Sequence, residues 1–307
     1  MSKAHLLLAL SLVAVPVAAQ EASTGIAADR LRPALGPSTL AGAEGAETTP
    51  YGQLGLLVAL GYLRDPIVLR ATADDRVVSH PVRGQLTSTL GLELGLPRRF
   101  ALRVSLPAAL WNDGERLRGT GVGAVGNDPG PALHAAAGDL VLGLKVALLG
   151  SPTAPGMHAA LALDVSAPLG GQNEFAATRG PTVSPRVLLD YRLPWLSFVL
   201  DASVRFQSAK RLFRTRIGDE LVLAGGVIAR VASLGPARRC HLLAYVEGAG
   251  IVTADAGARP GELRGALRLD RAGLQVDLGG GAGLVDAIGA PRWRAFVLLR
   301  LPLGHAH

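Results

Sequence analysis

Along most of the chain, apolar and polar positions alternate one by one. Between residues 85 and 96 the even positions are almost all leucine, whereas the odd positions are Gln, Thr, Gly or Glu. A β-strand with one apolar and one polar face has this period of two. The same alternation is clear at 100–106, 140–148, 160–166, 196–207 and 274–279, and weaker at 53–62, 185–193, 219–232, 239–250, 262–270 and 292–302.

These runs make about twelve segments of roughly nine to twelve residues, the length that crosses a bilayer as a tilted β-strand. The connections between them alternate in length. Short ones are predicted at 97–99, 150–156, 193–195, 233–238 and 271–273, and long ones at 64–81, 109–137, 168–184, 207–218, 251–261 and 285–291. Outer-membrane barrels have short periplasmic turns and longer external loops. The pattern therefore predicts an all-β fold, a closed antiparallel up-and-down transmembrane β-barrel of about 12 strands with both termini in the periplasm.

The leucine-rich face distinguishes this barrel from a soluble protein. In hydrocarbon every backbone N–H and C=O must be paired within the protein, so a sheet there has to close on itself and turn its apolar face to lipid. In water the same face needs a second sheet to cover it. A soluble periplasmic β-sandwich that acts as a binding module remains the alternative. Four residues would lie in a packed interior in that case and face lipid in a barrel: Leu90, Leu142, Leu163 and Leu200.

The first fifty residues do not follow the alternation. Residues 1–19 have a basic start, an apolar run and small residues at 17–19, which is typical of a cleaved signal peptide and predicts export. Residues 20–50 are rich in Ala, Gly, Glu, Thr and Pro without a period, and they predict a flexible periplasmic leader. The barrel is predicted over 51–302, followed by a short tail at 303–307.

Composition narrows the functional classes. The 307 residues are 49% hydrophobic and 18% charged, and they contain one cysteine, Cys240, which excludes an internal disulfide framework and a multi-cysteine metal site. We predict no metal and no cofactor. The net charge is +7, but the arginines are spread along alternating strands and form no patch, so no nucleic-acid binding is predicted. The tyrosines and tryptophans fall mostly near segment ends, as in an interfacial girdle: Tyr51, Tyr62, Trp111, Tyr191, Trp195, Tyr245 and Trp293.

Several short stretches resemble a known family. They lie at 62–69 (YLRDPIVL), 138–150 (GDLVLGLKVALLG), 218–221 (GDEL) and 289–296 (GAPRWRAF). Together they resemble the N-terminal barrel region of myxobacterial-type OmpA-family outer-membrane proteins, over about 50–302. The resemblance implies an outer-membrane barrel and no catalytic residues. It does not extend to the family's peptidoglycan-binding domain, because the sequence ends directly after the last strand, and the last strand lacks the terminal Phe that the barrel-assembly machinery commonly reads.

Charged residues occupy the polar face of the predicted strands. If this face encloses the barrel, the charges either pair with one another and fill the interior, or leave a basic excess along an aqueous path that favours anions. The candidate lumen-lining residues are Glu93, Arg103, Asp139, Lys145, Asp164, Arg186, Asp190, Arg192, Asp201, Arg205, Asp277 and Arg294.

Sequence motifs give little support for catalysis. Residues 121–126 match G-x-G-x-x-G, but they lack the following helix that dinucleotide binding requires, so a loop is predicted. His158 with Asp164 and His241 with Glu247 share strand faces, yet no hydrolase motif accompanies them, and no enzyme is predicted. The basic loop residues Lys210, Arg211 and Arg214 are candidates for contact with lipopolysaccharide phosphates.

The leading functional prediction is a porin-like passive channel or a structural component of the outer membrane. The alternative within the barrel fold is a non-conducting scaffold whose external loops, above all 109–137 and 168–184, bind a partner or a surface. The predicted partners are outer-membrane lipid and lipopolysaccharide, the barrel-assembly machinery and small solutes.

Overall fold

A computed structural model shows twelve long antiparallel strands that enclose a central lumen. It describes residues 26–304, except for 38, 71–75, 115–134, 152–153, 171–174, 179, 213–214 and 235–239. The long strands are β1 (Leu54–Arg70), β2 (Val77–Gly95), β3 (Phe100–Asp113), β5 (Asp139–Leu149), β6 (Gly156–Pro168), β7 (Thr182–Arg192), β8 (Leu196–Gln207), β11 (Glu220–Leu234), β12 (Cys240–Val252), β13 (Gly261–Arg271), β14 (Leu274–Gly283) and β15 (Trp293–Leu303). Among the described residues, no helix is long and apolar enough to cross a membrane.

The sheet closes into a barrel through its first and last strands. β1 pairs with β15 in an unbroken antiparallel register from Leu54 opposite Leu303 to Arg64 opposite Trp293. β1 also pairs with β2, and each further long strand pairs with its two neighbours in chain order around the ring. Closure leaves no long strand with an unpaired edge, as a membrane interior requires. The predicted closed up-and-down barrel of about twelve strands is confirmed.

Short and long connections lie at opposite ends of the barrel. The turn end carries the β2–β3, β5–β6, β7–β8 and β13–β14 connections, together with the start of β1 and the end of β15. At the β13–β14 turn, Ala272 and Gly273 both have positive φ (54° and 87°), as a tight two-residue hairpin requires. The loop end carries the longer connections and the small elements β4 (Ala136–Ala137), β9 (Lys210–Leu212) and β10 (Thr215–Ile217).

One long connection differs from the prediction. Residues 64–81 were predicted as a loop, but β1 continues to Arg70 and β2 begins at Val77. The pairing shifts register between Arg64 and Ile67, and Asp65 has a φ of 51° there. A bulge of this kind interrupts the alternation of apolar and polar residues, but the two strands continue to pair beyond it. The alternation therefore predicted an end of β1 that lies before the observed one.

The outer surface is the leucine face. Leu90, Leu142, Leu163 and Leu200 are 52%, 50%, 46% and 48% exposed. In a sandwich these side chains would be covered by a second sheet, whereas here they stand on the outside of a closed barrel, in the position of lipid contacts. The structure therefore rules out the soluble sandwich.

Aromatic side chains mark both ends of the barrel. Tyr62 lies between Trp111 and Trp293 near the loop end, with ring centroids 6.4 and 5.3 Å apart, and Tyr191 and Trp195 are exposed near the turn end. This distribution is typical of interfacial belts. Tyr245 is the exception among the predicted girdle residues. It is 3% exposed and points into the lumen, where its hydroxyl donates to Asp277.

The segment before β1 fills the lumen. Residues 26–50, which we call the plug, include buried Ala28, Leu40 and Glu44, each 0% exposed. This placement differs from the flexible periplasmic leader that composition predicted over residues 20–50. The physical reason is that the plug's few charged and leucine side chains find partners on many strands, which local composition does not reveal. The predicted signal peptide lies outside the described residues, as do residues 305–307 of the tail.

The two ends of the described chain lie at opposite ends of the barrel. Ile26 packs at the loop end, in a buried cluster with Phe175, Ala258 and Ile288, and Ala28 N–H donates to the Phe175 carbonyl at 2.8 Å. Leu303 ends β15 at the turn end. The prediction placed both termini on the periplasmic side. Residues 1–25 and 305–307 lie outside the described residues, so this stays a prediction.

Candidate functional site: the plugged lumen

All twelve candidate lumen residues lie on the inner face of the wall. The six with the lowest exposure are 0 to 3% exposed: Glu93, Arg103, Asp139, Lys145, Asp190 and Asp277. Asp201, Arg294, Asp164, Arg186, Arg192 and Arg205 have side chains that are 7 to 19% exposed. Buried charges at this density need close partners, and the plug supplies many of them.

The centre of the plug is held by Glu44. Its carboxylate accepts from Arg103 on β3 at 2.5 Å and from Lys145 on β5 at 2.9 Å, and it forms an ion pair with Arg186 on β7 at 2.9 Å. Burial alone would raise the pKa of Glu44, but Arg103, Lys145 and Arg186 hold it well below its usual range. The carboxylate therefore stays ionised, and these contacts persist above a pH of about 4.5, weakening only as the pH falls towards the lowered pKa.

The neighbouring plug residues reach the opposite wall. The backbone N–H groups of Gly42 and Ala43 donate to Glu247 on β12 at 2.8 and 3.1 Å. In the ring of twelve long strands, β12 lies six positions from β3, which is directly across the barrel. Three consecutive residues of the plug thus span the lumen from wall to wall. The space beside them on the loop side is a cavity of about 120 Å³ whose lining combines arginines and serines with apolar side chains such as Leu31 and Val141.

At the loop end, arginines of the plug and of the wall form ion pairs that hold the plug in place. Arg30 forms an ion pair with Glu220 at 2.5 Å and donates to the carbonyls of Ala258 and Ile288. Arg32 pairs with Asp139 at 3.0 Å, and Asp29 pairs with Arg294 at 3.1 Å. Because carbonyl groups of the loops are used together with strand carboxylates, the plug fixes the loops as well as the wall.

At the turn end, the last residues of the plug form ion pairs and hydrogen bonds with the barrel wall. Glu47 pairs with Arg192 at 2.9 Å, and Ala46 N–H donates to Asp190 at 2.5 Å. Thr49 donates to Glu93 Oε1 through its N–H at 2.9 Å and its hydroxyl at 2.8 Å. Five residues later β1 begins, so the plug is tethered at this end.

A second buried cluster connects plug and wall through Asp277. This carboxylate accepts from Arg268 Nε at 2.7 Å, Arg300 at 2.8 Å and the Tyr245 hydroxyl at 3.0 Å. Arg268 and Arg300 also donate to the plug carbonyls of Thr39 and Leu40, each at 2.7 Å. Asp277 thus orients two guanidinium groups that hold the plug backbone.

The candidate catalytic groups do not come together. His158 Nε2 lies 3.0 Å from the Ala154 carbonyl, and His241 Nδ1 lies 3.0 Å from Ser233 Oγ at the turn end. Asp270 stands opposite His241 in the β12–β13 register, but within the described part of the chain no carboxylate oxygen comes within 4 Å of that imidazole. A hydrolytic Ser–His pair thus has no orienting carboxylate in contact there.

The basic loop residues and the glycine motif fall at the loop end. Lys210 is 6% exposed and donates to Gln207 at 3.3 Å, so it points inward and is not at the surface. This buried position differs from the surface position that contact with lipopolysaccharide phosphates would require. The side chain of Arg211, residue Arg214 and the glycine motif at 121–126 lie outside what the structure describes.

Comparison with solved structures shows the kind of fold. The COG4313 outer membrane channel from Pseudomonas putida F1 is similar, with a TM-score of 0.57 and 13% identity over 84% of this chain and 98% of that chain. The NanC porin gives a TM-score of 0.49 and 9% identity over 81% of this chain and 100% of that chain. No protein-family model and no curated protein matches the chain. The chain has the fold of an outer-membrane β-barrel.

Proposed function

We propose that the protein is a passive channel of the outer membrane whose lumen is closed by its own plug and opens when the plug withdraws. One observation carries the proposal: buried hydrogen bonds and ion pairs of residues 42–44 join opposite walls of the barrel. Charges that served only the wall would pair only between its strands. Here Arg103 and Arg186 pair with wall carboxylates and also with Glu44 of the plug.

The tether sets the direction of opening. The plug continues into β1 at the turn end. At the loop end it is held by contacts that can break, the packing of Ile26 and the hydrogen bond from Ala28 N–H to the Phe175 carbonyl. Withdrawal towards the turn end leaves the wall intact. With the loops facing outward, as in outer-membrane barrels generally, the plug moves towards the periplasm.

The open lumen favours anions. In the plugged state the wall uses five cations on plug carboxylates, namely Arg103, Lys145, Arg186, Arg192 and Arg294, but only two carboxylates, Glu220 and Asp139, on plug arginines. The plug carries three carboxylates (Asp29, Glu44 and Glu47) and two arginines (Arg30 and Arg32), so its withdrawal removes one net negative charge from the lumen. Rings of basic side chains attract small anions into a pore.

Export and insertion complete the proposal. The sequence supports export by a signal peptide cleaved after residue 19 and insertion by the barrel-assembly machinery. The exposed leucine surface supports contact with outer-membrane lipid, and external loops would meet lipopolysaccharide. The resemblance to the OmpA-family barrel stays a prediction.

A non-conducting scaffold is the second candidate function. It is favoured by the extent of the plug's contacts, which reach both ends of the lumen. Such a scaffold would keep its plug seated permanently and would use its loops to bind a partner. Conductance distinguishes the two functions.

Glu44→Ala should raise the open probability of the purified barrel in planar bilayers. Breaking a buried ion pair costs on the order of 3–5 kcal/mol, which corresponds to at least about a 100-fold shift of the plugged equilibrium. Asp286→Ala is the matched control, because it removes a carboxylate from an exposed ion pair with Arg70 at the loop end. Equal, near-zero conductance of wild type, Glu44→Ala and the control would support the scaffold and contradict the channel.

A further inference from the structure

A separate cavity of about 410 Å³ lies at the turn end, between the plug and the β1–β15 side of the wall. Its apolar walls include Leu35 and Pro37 of the plug and Leu57 and Pro302 of the strands. The volume is in the range of small-molecule sites. The rim includes Ala272, Gly273 and Gly304, which are exposed, so the cavity opens at the turn end.

Two hydrogen-bond acceptors in this cavity have no donor. Glu93 is 1% exposed, and its Oε1 takes both donors of Thr49 while its Oε2 has no hydrogen-bond partner in the described chain. Gln275 Oε1 is likewise buried without a donor. Both residues line the cavity. A buried carboxylate oxygen without a donor is costly, and a ligand that supplies one is bound favourably.

Backbone geometry keeps the space in front of Glu93 open. Gly36 has a φ of 95°, and a Cβ built on it would stand 3.2 Å from Glu93 Oε2. Gly55 stands opposite Glu93 in the β1–β2 register, and a Cβ on it would lie 3.3 Å from Thr49 Oγ1. The two glycines leave room for a ligand atom where other residues would crowd the carboxylate.

The charge around Glu93 is also unbalanced. Glu93 stands opposite Arg103 in the β2–β3 register, but no Arg or Lys nitrogen of the described residues forms an ion pair with it. The nearby cations are already used by other carboxylates: Arg103 and Lys145 pair with Glu44, and Arg300, which also lines the cavity, pairs with Asp277. Glu93 is therefore a carboxylate without a direct ion-pair partner at the cavity wall.

We propose that this cavity is a binding site for a small organic cation, an ammonium group on a short apolar body. The ammonium donates to Glu93 Oε2 and Gln275 Oε1, and the apolar body packs on the leucine and proline walls. Charge-assisted hydrogen bonds of this kind are short and strong in a site shielded from water. The site is formed by the plugged barrel, and its occupancy does not depend on whether the lumen conducts.

Calorimetric titration of the detergent-solubilised full chain with n-butylammonium chloride tests the site. We expect saturable binding of n-butylammonium that exceeds binding of n-butanol and of sodium butyrate, which share the alkyl body but carry no ammonium. Blank micelles correct for partition into detergent. Because the readout is binding alone, a barrel that fails to conduct and a cavity that fails to bind give separate results.

Variants assign the binding to this cavity. Glu93→Gln keeps an acceptor for Thr49 but removes the charge, and should weaken n-butylammonium binding at least about tenfold. Gln275→Leu should weaken n-butylammonium binding severalfold. Because this variant leaves Glu93 intact, it tests the site even if Glu93→Gln does not fold. Glu262→Gln, a buried inward carboxylate that does not line the cavity, is the matched control and should bind as wild type does. Equal binding of n-butanol and n-butylammonium, no saturable binding, or unchanged binding in folded Glu93→Gln and Gln275→Leu would overturn the proposal.

Discussion

Deletion of residues 26–47 should turn the closed barrel into a permanently open, anion-preferring pore. The deletion removes every plug residue that forms an ion pair with the wall, and it keeps Thr49, whose N–H and hydroxyl both donate to Glu93 Oε1 on β2. The wall charges then face water in an open lumen, where hydration replaces their lost partners. The strand pairing of the barrel does not involve the plug, so the wall should remain closed.

Single-channel recording in planar bilayers measures this effect. We expect steady conductance for the deletion variant and rare openings for wild type, with reversal potentials in a salt gradient that show anion preference. A synthetic peptide of residues 26–50, added from the turn side, should reduce the current. Heat-modifiable migration on gels verifies that the variant is folded. A folded deletion variant without conductance would contradict the plug as the gate.

Asp277→Ala should destabilise the barrel by on the order of 3–5 kcal/mol, the usual cost of leaving buried charge without its partner. Asp277 is 0% exposed and is the ion-pair partner of both Arg268 and Arg300. Without it, two guanidinium groups in the wall lose their counter-charge, and Tyr245 loses its acceptor. Exposed pairs are worth far less, about 0–1 kcal/mol.

Urea titration followed by heat-modifiable migration reports this loss. We expect a clearly lower midpoint for Asp277→Ala and a smaller decrease for Asp277→Asn, which retains an oxygen acceptor. Asp286→Ala, which breaks an exposed pair in which the carboxylate is 80% exposed, should leave the midpoint nearly unchanged. Similar midpoints for all the variants would mean that the buried cluster contributes no stability.

The strands could be predicted because the membrane imposes a repeating local rule. Leu90 and Leu163 face outward because the outer surface of the barrel contacts lipid, and this requirement applies to every second residue of each strand. The rule fails where the backbone departs from regular pairing. The bulge at Asp65 interrupts the alternation, so the predicted first strand stops before the observed end of β1 at Arg70.

The plug could not be predicted from its own residues. Its sequence is mostly Ala, Gly, Pro and Thr, which is typical of a flexible segment. Glu44 is fixed by Arg103, Lys145 and Arg186, from strands 59, 101 and 142 residues away along the chain, and no local pattern specifies such contacts. The one available signal was that Leu31, Leu35 and Leu40 interrupt the small residues, as expected of a segment that packs in a core.

The position of the plug can be tested most directly by the reactivity of a single cysteine at residue 40. In a Cys240→Ser background, Leu40→Cys places a thiol where the side chain is 0% exposed, and Tyr51→Cys places one where it is 71% exposed. With a water-soluble maleimide on the folded barrel, residue 40 should react at least about tenfold more slowly than residue 51, because modification requires the plug to leave the lumen. Equal rates for the two positions would show that the segment lies outside the barrel.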